Sequence, residues 1–334
     1  MLRVPYSDLY EALHKTMQHL GLKGNRASLC ARLFADTTRD GVYTHGLNRF
    51  PRFEAMIRNG SIDVDAEPER IAGFGSIERW NGHRGPGNLN AHAAMQRAIT
   101  LAKQHGLGAV ALANTNHWMR GGTYGWQAAD QGMFAMCWTN TLANVPAWGS
   151  ATPVIGNNPL IIAIPRPQGH VVLDMAMSQF SYGSLDAYTR RRAPLSVPGG
   201  YDTEGNLTTD SAAIEASQRA LPIGYWKGSG LSLVLDMMAA MLSGGLATHQ
   251  LPLDPLHESG LSQFFLAIDP ANLASAAELA HIADGVIANL HDAPPIDAAR
   301  PLRYPGEQTL RLREENLSLG VPVNPEIWQQ INLI

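Results

Sequence analysis

Apolar positions recur at helical spacing towards both ends of the chain and at strand spacing between them. After Ser7-Asp8, which can cap a helix, Leu9, Leu13, Met17 and Leu20 fall close to one helical face, and Gly21 ends the run. A second helix opens near Asn25 and Ser28, carries Leu29, Leu33 and Phe34, and runs to about Asp40-Gly41. Residues 41–52 have no clean period; they hold Tyr43, His45, Asn48, Arg49 and Arg52. From about residue 70 short apolar runs alternate with helical ones. The pattern predicts strands at 75–80, 108–113, 133–139, 159–164, 171–175 and 262–268, and helices at 88–105, 122–131 and 229–242. The stretch 186–222, rich in Gly, Pro, Asp and Thr, reads as a long loop, and 271–290 and 307–332 are helical again. An α/β protein follows, helix-rich at both ends. Ends that resemble each other can pack as one discontinuous unit, which predicts a helical domain of 1–72 with 270–334 and an α/β domain of 73–269.

Composition narrows the class. Of 334 residues 45% are apolar and only 16% charged, so the chain can bury a core and is not dominantly disordered. A net charge of -4 leaves no basic excess for binding nucleic acid through counterion release. The low charge fits a buried subunit interface. Two cysteines, Cys30 and Cys137, lie in apolar patterns and read as small buried hydrophobes rather than a disulfide framework. The N-terminal residues have no secretory apolar region and no run is long enough to span a bilayer, so a cytoplasmic protein with no membrane partner is expected.

Chemistry concentrates in four segments. Gly85-Pro86-Gly87-Asn88-Leu89-Asn90 comes nearest to a dinucleotide fingerprint, but Asn90 stands at the third glycine and no acidic residue ends a strand twenty residues on, so a turn and helix cap is expected. His45 stands among Thr44, Asn48, Arg49 and Arg52; an imidazole can give a proton to a developing alkoxide, and a guanidinium can hold a carboxylate bidentately. A histidine alone is more often structural, and the company of arginines in a patternless segment makes this one a candidate. Asn114 to Gly122 follows a strand end, where an open sheet commonly builds a site, and contains Asn116 and His117; a capping turn is the equal alternative. Gly224 to Gly230 places Trp226 and Lys227 before an apolar helix, as an anion site, a Schiff-base lysine for a pyridoxal cofactor, or simply a close-packed loop. No cluster has metal-ligand spacing, and no G-x-S-x-G elbow points to a serine hydrolase.

Several long strings resemble the malate/L-lactate dehydrogenase type 2 family of NAD(P)-dependent oxidoreductases. They are Gly41-Val-Tyr-Thr-His45-Gly-Leu-Asn-Arg49-Phe-Pro-Arg-Phe53, Asn116-His-Trp-Met-Arg-Gly-Gly-Thr-Tyr-Gly-Trp-Gln127, Cys137-Trp-Thr-Asn140, Pro146-Ala-Trp-Gly149, Ile155-Gly-Asn-Asn-Pro-Leu160 and Leu221-Pro-Ile-Gly-Tyr-Trp-Lys-Gly-Ser-Gly230. The resemblance implies a fold that is not Rossmann, with a largely antiparallel mixed sheet beside a helical part built from both chain ends, and a homodimer. It implies His45 as proton donor and Asp186 as its acidic partner; the residues themselves put Arg49, Asn116 and His117 around the substrate. Cofactor contacts are implied at His170, Val171, Val172, Leu173, Asp174, Met175 and Ala176, at Trp226 and Lys227, and at Gly306, Glu307 and Gln308. The implied reaction is reduction of the C2 carbonyl of a 2-keto sugar acid by NADH, with NADPH as the alternative. Other 2-hydroxy acids, or a cyclic imino acid, are the alternative substrates within the family. A non-catalytic sugar-acid binder is the reading outside it.

Overall fold

The computed structural model describes residues 2–333. The chain begins with β1 (Leu2–Val4), α1 (Tyr6–His19) and α2 (Gly24–Arg39), then 3-10 turns at Tyr43–His45 and Leu47–Arg49, and α3 (Phe50–Arg58). The middle comprises β2 (Glu69–Phe74), β3 (Ile77–Asn81), α4 (Gly87–His105), β4 (Leu107–Asn116), α5 (Gly122–Ala129), β5 (Phe134–Thr139), β6 (Val145–Pro146), β7 (Pro153–Ile155), β8 (Leu160–Ile164) and β9 (Val171–Met175). Then follow α6 (Tyr182–Arg191), β10 (Gly200–Tyr201), β11 (Leu207–Thr208), α7 (Ser211–Ser217), α8 (Trp226–Ser243) and β12 (Ser259–Ile268). The chain closes with α9 (Ala276–Asp292), α10 (Glu307–Leu319), β13 (Val321–Val323) and α11 (Pro325–Asn332).

Seven strands form the central sheet in the order β2-β3-β4-β12-β5-β8-β9. Only β3 and β4 pair parallel; every other neighbour in that sheet is antiparallel, so the expected largely antiparallel, non-Rossmann sheet is what forms. Strand alternation divides the core. Val110 and Leu112 of β4 face α4 and α5 with Met95, Ile99 and Trp126, whereas Ala109 and Ala111 face α8 with Leu235 and Ala239. A separate core joins Leu9, Leu13 and Met17 of α1 to Phe34 of α2, Phe50 and Phe53 of α3, and Val321, Val323 and Ile331 from the far end of the chain. β1 pairs with β13, fastening the two ends. Within 270–334, α9 is mostly exposed; Asp284 pairs with Arg166 at 2.6 Å and His291 with Glu307 at 3.2 Å.

The structure corrects the pattern in two places. The segment 186–222 is not one loop: it carries most of α6, the β10–β11 hairpin and α7. Side-chain caps start both helices, Ser181 accepting from the Ser184 N–H and Asp210 from the Ala212 and Ala213 N–H groups. Such short elements leave too few apolar repeats for a period to show. The run 307–332 is broken at Gly320, whose φ of +87° ends α10 and turns the chain into β13 before α11. The glycine string at 85–87 opens α4, as expected of a helix start. A Cβ on Gly87 would lie 2.2 Å from the Asn116 carbonyl oxygen and 2.3 Å from that of His117, so glycine there permits close packing on the end of β4. Both cysteines are free and buried, and burial pushes the Cys30 thiol up to about 12.

Candidate active site

Pro51 sits in the first turn of α3, where its missing N–H leaves no bond unmade, so the chain passes from two 3-10 turns directly into a helix. His45, Arg49 and Arg52 therefore project from three successive turns, and all three line one cavity of about 470 Å³. The turn after β4 supplies His117 and Arg120, β9 supplies Asp174, the start of α6 supplies Ser181 and Tyr182, and Glu258 enters just before β12.

The two imidazoles stack, with ring centroids 5.9 Å apart and planes 18° from parallel. Each has one nitrogen engaged. Thr44 Oγ1 lies 3.0 Å from His45 Nδ1, and the Met119 N–H donates to His117 Nδ1 at 3.1 Å. His117 in its neutral form thus carries its proton on Nε2. Burial, then the charges of Arg49 and Arg120, pulls His45 down to about 4. Burial also pulls His117 well below the usual histidine range, reinforced by Arg49, His45 and Arg52. Both rings are neutral at pH 7 in the free protein.

Arg52 donates to Glu258 Oε2 at 2.9 Å and to the Pro255 carbonyl, whereas Arg49 reaches the same carboxylate only at 3.7 Å. Glu258 is therefore spent chiefly on Arg52, leaving the Arg49 guanidinium available. Burial lowers Arg49 to about 10, so it stays charged at neutral pH. Asp174 opens onto the cavity and accepts from the Gly122 N–H at 2.8 Å. Crowding by protein raises its carboxyl, against the pull of Arg120 and that N–H.

Other expected site residues lie elsewhere. Asp186 is not brought to His45: its exposed carboxylate accepts from Arg190 one turn along α6 at 3.0 Å. Asn116 is buried behind the cavity, donating to the carbonyls of Arg84 at 2.7 Å and Gly85 at 3.0 Å, and so anchors a turn. Trp226 and Lys227 stand exposed at the start of α8, and neither lines the cavity. His170 is engaged by protein, with Nε2 3.0 Å from Asp130 and Nδ1 accepting from the Arg166 N–H at 3.0 Å. Its carbonyl oxygen faces Gly306, whose φ of +100° and 3.1 Å Cβ approach to that oxygen favour glycine. Glu307 and Gln308 line a second cavity with His291, Arg303 and Arg311.

Sequence reasoning missed Glu258 and the role of Arg120. Glu258 follows Arg52 by 206 positions, and Asp40, which binds Arg120, precedes it by 80. No local spacing carries such pairs.

A profile of the malate/L-lactate dehydrogenase family matches residues 4–332. A 2,3-diketo-L-gulonate reductase of Citrobacter koseri is 45% identical over 333 residues, covering 100% of both chains. Among solved structures, a dehydrogenase from Sinorhizobium meliloti superposes with a TM-score of 0.87 at 26% identity, covering 99% of this chain and 97% of its own. A malate dehydrogenase from Entamoeba histolytica shares the fold, with a TM-score of 0.93 at 22% identity over 99% of this chain and 96% of its own. The chain belongs to the malate/L-lactate dehydrogenase family, and is an oxidoreductase acting on a CH–OH group with the nicotinamide cofactor that a dehydrogenase implies.

Proposed function

We propose that this protein reduces the C2 carbonyl of a 2-keto sugar acid, with 2,3-diketo-L-gulonate as substrate and NADH as reductant. The observation that carries the reading is the convergence of His45, His117 and the loosely held Arg49 in one cavity. The full-length likeness to the Citrobacter koseri reductase supports the choice of substrate.

The residues along β9 fit a long cofactor. β9 is an edge strand, and the Val172 N–H turns away from β8 to the Pro305 carbonyl at 2.9 Å. By strand alternation the Asp174 N–H faces the same open side. One end of the strand meets Gly306 beside the second cavity; beyond the other, Ala176 joins Asp174 in lining the first. The span from Val171 to Ala176 is roughly 17 Å, a length suited to an extended dinucleotide. His170 to Ala176 with Gly306, Glu307 and Gln308 would hold the cofactor, which supplies a hydride to C2. Trp226 and Lys227 would reach it only from a neighbouring chain or after movement of α8.

Arg49 binds the substrate carboxylate. With Nδ1 engaged by Thr44, His45 Nε2 is the nitrogen that gives its proton to the C2 oxygen. His117 Nε2–H donates a hydrogen bond to the same region. Initial rates of NADH loss across a panel of 2-keto acids test the reading: 2,3-diketo-L-gulonate is expected to give the highest kcat/KM, and preference for pyruvate or oxaloacetate would replace it with another family reaction.

The combined ends, 1–72 with 270–334, are taken as one unit and 73–269 as the cofactor-binding unit. A second copy of the chain is the partner. Leu231, Val234, Met238 and Met241 stand exposed on α8 at i, i+3, i+7 and i+10, one stripe of the helix, and Met241 is 71% exposed. An isologous contact would cover this stripe in both copies. Sedimentation at twice 36.2 kDa, falling to one copy in Met241→Glu, is expected; a dimer unaffected by that change would place the interface elsewhere. The cytoplasm, where NADH is available, is the implied location.

A further inference from the structure

Arg120 occupies the cavity wall with more charge behind it than one ion pair requires. It is 6% exposed, and its Nη1 donates to Asp40 Oδ2 at 2.7 Å. Asp40 is already held by others: Arg313 donates through Nε at 2.8 Å and Nη2 at 2.7 Å, and Arg39 Nε at 2.9 Å. Burial opposes ionisation of Asp40, yet the Arg313 hydrogen bonds and the charges of Arg120 and Arg39 hold it down to about 2. Three guanidiniums thus meet at Asp40, of which Arg39 is also held by Asp36 at 2.8 Å.

The Arg120 Nε–H is also buried without a protein acceptor. A Cβ built on Gly122 would lie 3.4 Å from that Nε and 2.8 Å from Asp174 Oδ2, so both polar groups crowd one corner of the cavity. They make no ion pair with each other among the described residues. Arg120 nevertheless lines the cavity together with His45 and Asp174, where its guanidinium can meet a substrate oxygen.

A simple 2-keto acid brings a carboxylate for Arg49 and one carbonyl oxygen for the histidines; nothing remains for Arg120. We propose that Arg120, pinned by Asp40, is the specificity-determining residue that selects substrates carrying oxygen at C3. This rests on reading the cavity as the reductase site. A C3 carbonyl or hydroxyl would accept from the Arg120 guanidinium, and a substrate lacking it would forgo that charge-assisted hydrogen bond. Removing Arg120 still leaves Asp40 paired with Arg313 and Arg39, so the carboxylate is not stranded.

Hydroxypyruvate and pyruvate differ only in an oxygen at C3, and they test the inference apart from the identity of the natural substrate. The wild type is expected to favour hydroxypyruvate in kcat/KM. In Arg120→Met that preference should fall by ~30-fold, the range of a hydrogen bond to a charged group; the lost pull of its charge on His45 acts on both substrates alike, so the ratio is the readout. Arg120→Lys, which keeps a charge against Asp40, should fall between them and serves alone if the methionine variant does not fold. Equal losses on both substrates, an unchanged ratio, or a wild type without preference would overturn the role of Arg120. Wild-type inactivity on 2,3-diketo-L-gulonate with the hydroxypyruvate effect intact would overturn only the proposed substrate.

Discussion

His45→Asn is expected to lower kcat for reduction by ~10²–10⁴-fold, the usual contribution of a placed general acid, while NADH affinity changes little. Asparagine keeps much of the ring's volume and a hydrogen-bonding amide but has no proton to give. The pH profile separates this role from a packing role. His45 in the free protein is drawn down to about 4 by burial and by Arg49 and Arg120. The protonated ring that reduction requires is therefore the minor form at neutral pH. Each unit of pH lowered from about pH 8 towards about pH 5 should raise kcat/KM for reduction ~10-fold, whereas oxidation, which needs the neutral ring as base, should stay flat across that range. A carboxylate bound at Arg49 offsets one of the charges that depress His45, so kcat should show a higher apparent pKa than kcat/KM. A plateau of kcat/KM below pH 7, or a variant with near wild-type turnover and intact NADH binding, would remove His45 as donor.

Arg49→Met is expected to raise KM for the sugar acid so that kcat/KM falls by ~10²–10³-fold, the scale of two charge-assisted hydrogen bonds lost. Arg49 is the cation suited to this because Glu258 engages it only at 3.7 Å but engages Arg52 at 2.9 Å. Deleting it leaves Glu258 paired, so the fold should survive, as a thermal melt can verify. Lysine at 49 should recover part of the loss, since it restores the charge but not the planar fork. Loss confined to kcat, with KM unchanged, would mean that Arg49 acts on the chemistry and not on the carboxylate.

The helices α1, α2 and α9 and the strands β4, β5, β8, β9 and β12 are legible in the sequence because each spans enough residues for a period to declare itself. α6 and α7 are not: each is set by a cap and a few local contacts within a glycine- and proline-rich stretch. At the site, His45 and Arg49 could be found because they share one patternless segment, and His117 because it leaves a strand end. Glu258, Arg120, Asp40 and Arg313 come together only in three dimensions. Asp186 shows the opposite hazard. It lies three residues past Gly183, which does line the cavity, but its carboxylate is taken by Arg190 one turn further along α6 at 3.0 Å. Asp174, expected as a cofactor contact, opens with Glu258 onto the same cavity as His45.

Isotope transfer puts the assigned reaction to its most direct test. The wild-type protein, given NADH doubly deuterated at C4 of the nicotinamide and 2,3-diketo-L-gulonate, should yield a product bearing deuterium on C2. Deuterium on C3, or nicotinamide oxidised with no label in the sugar acid, would contradict the assignment of this cavity to C2 reduction.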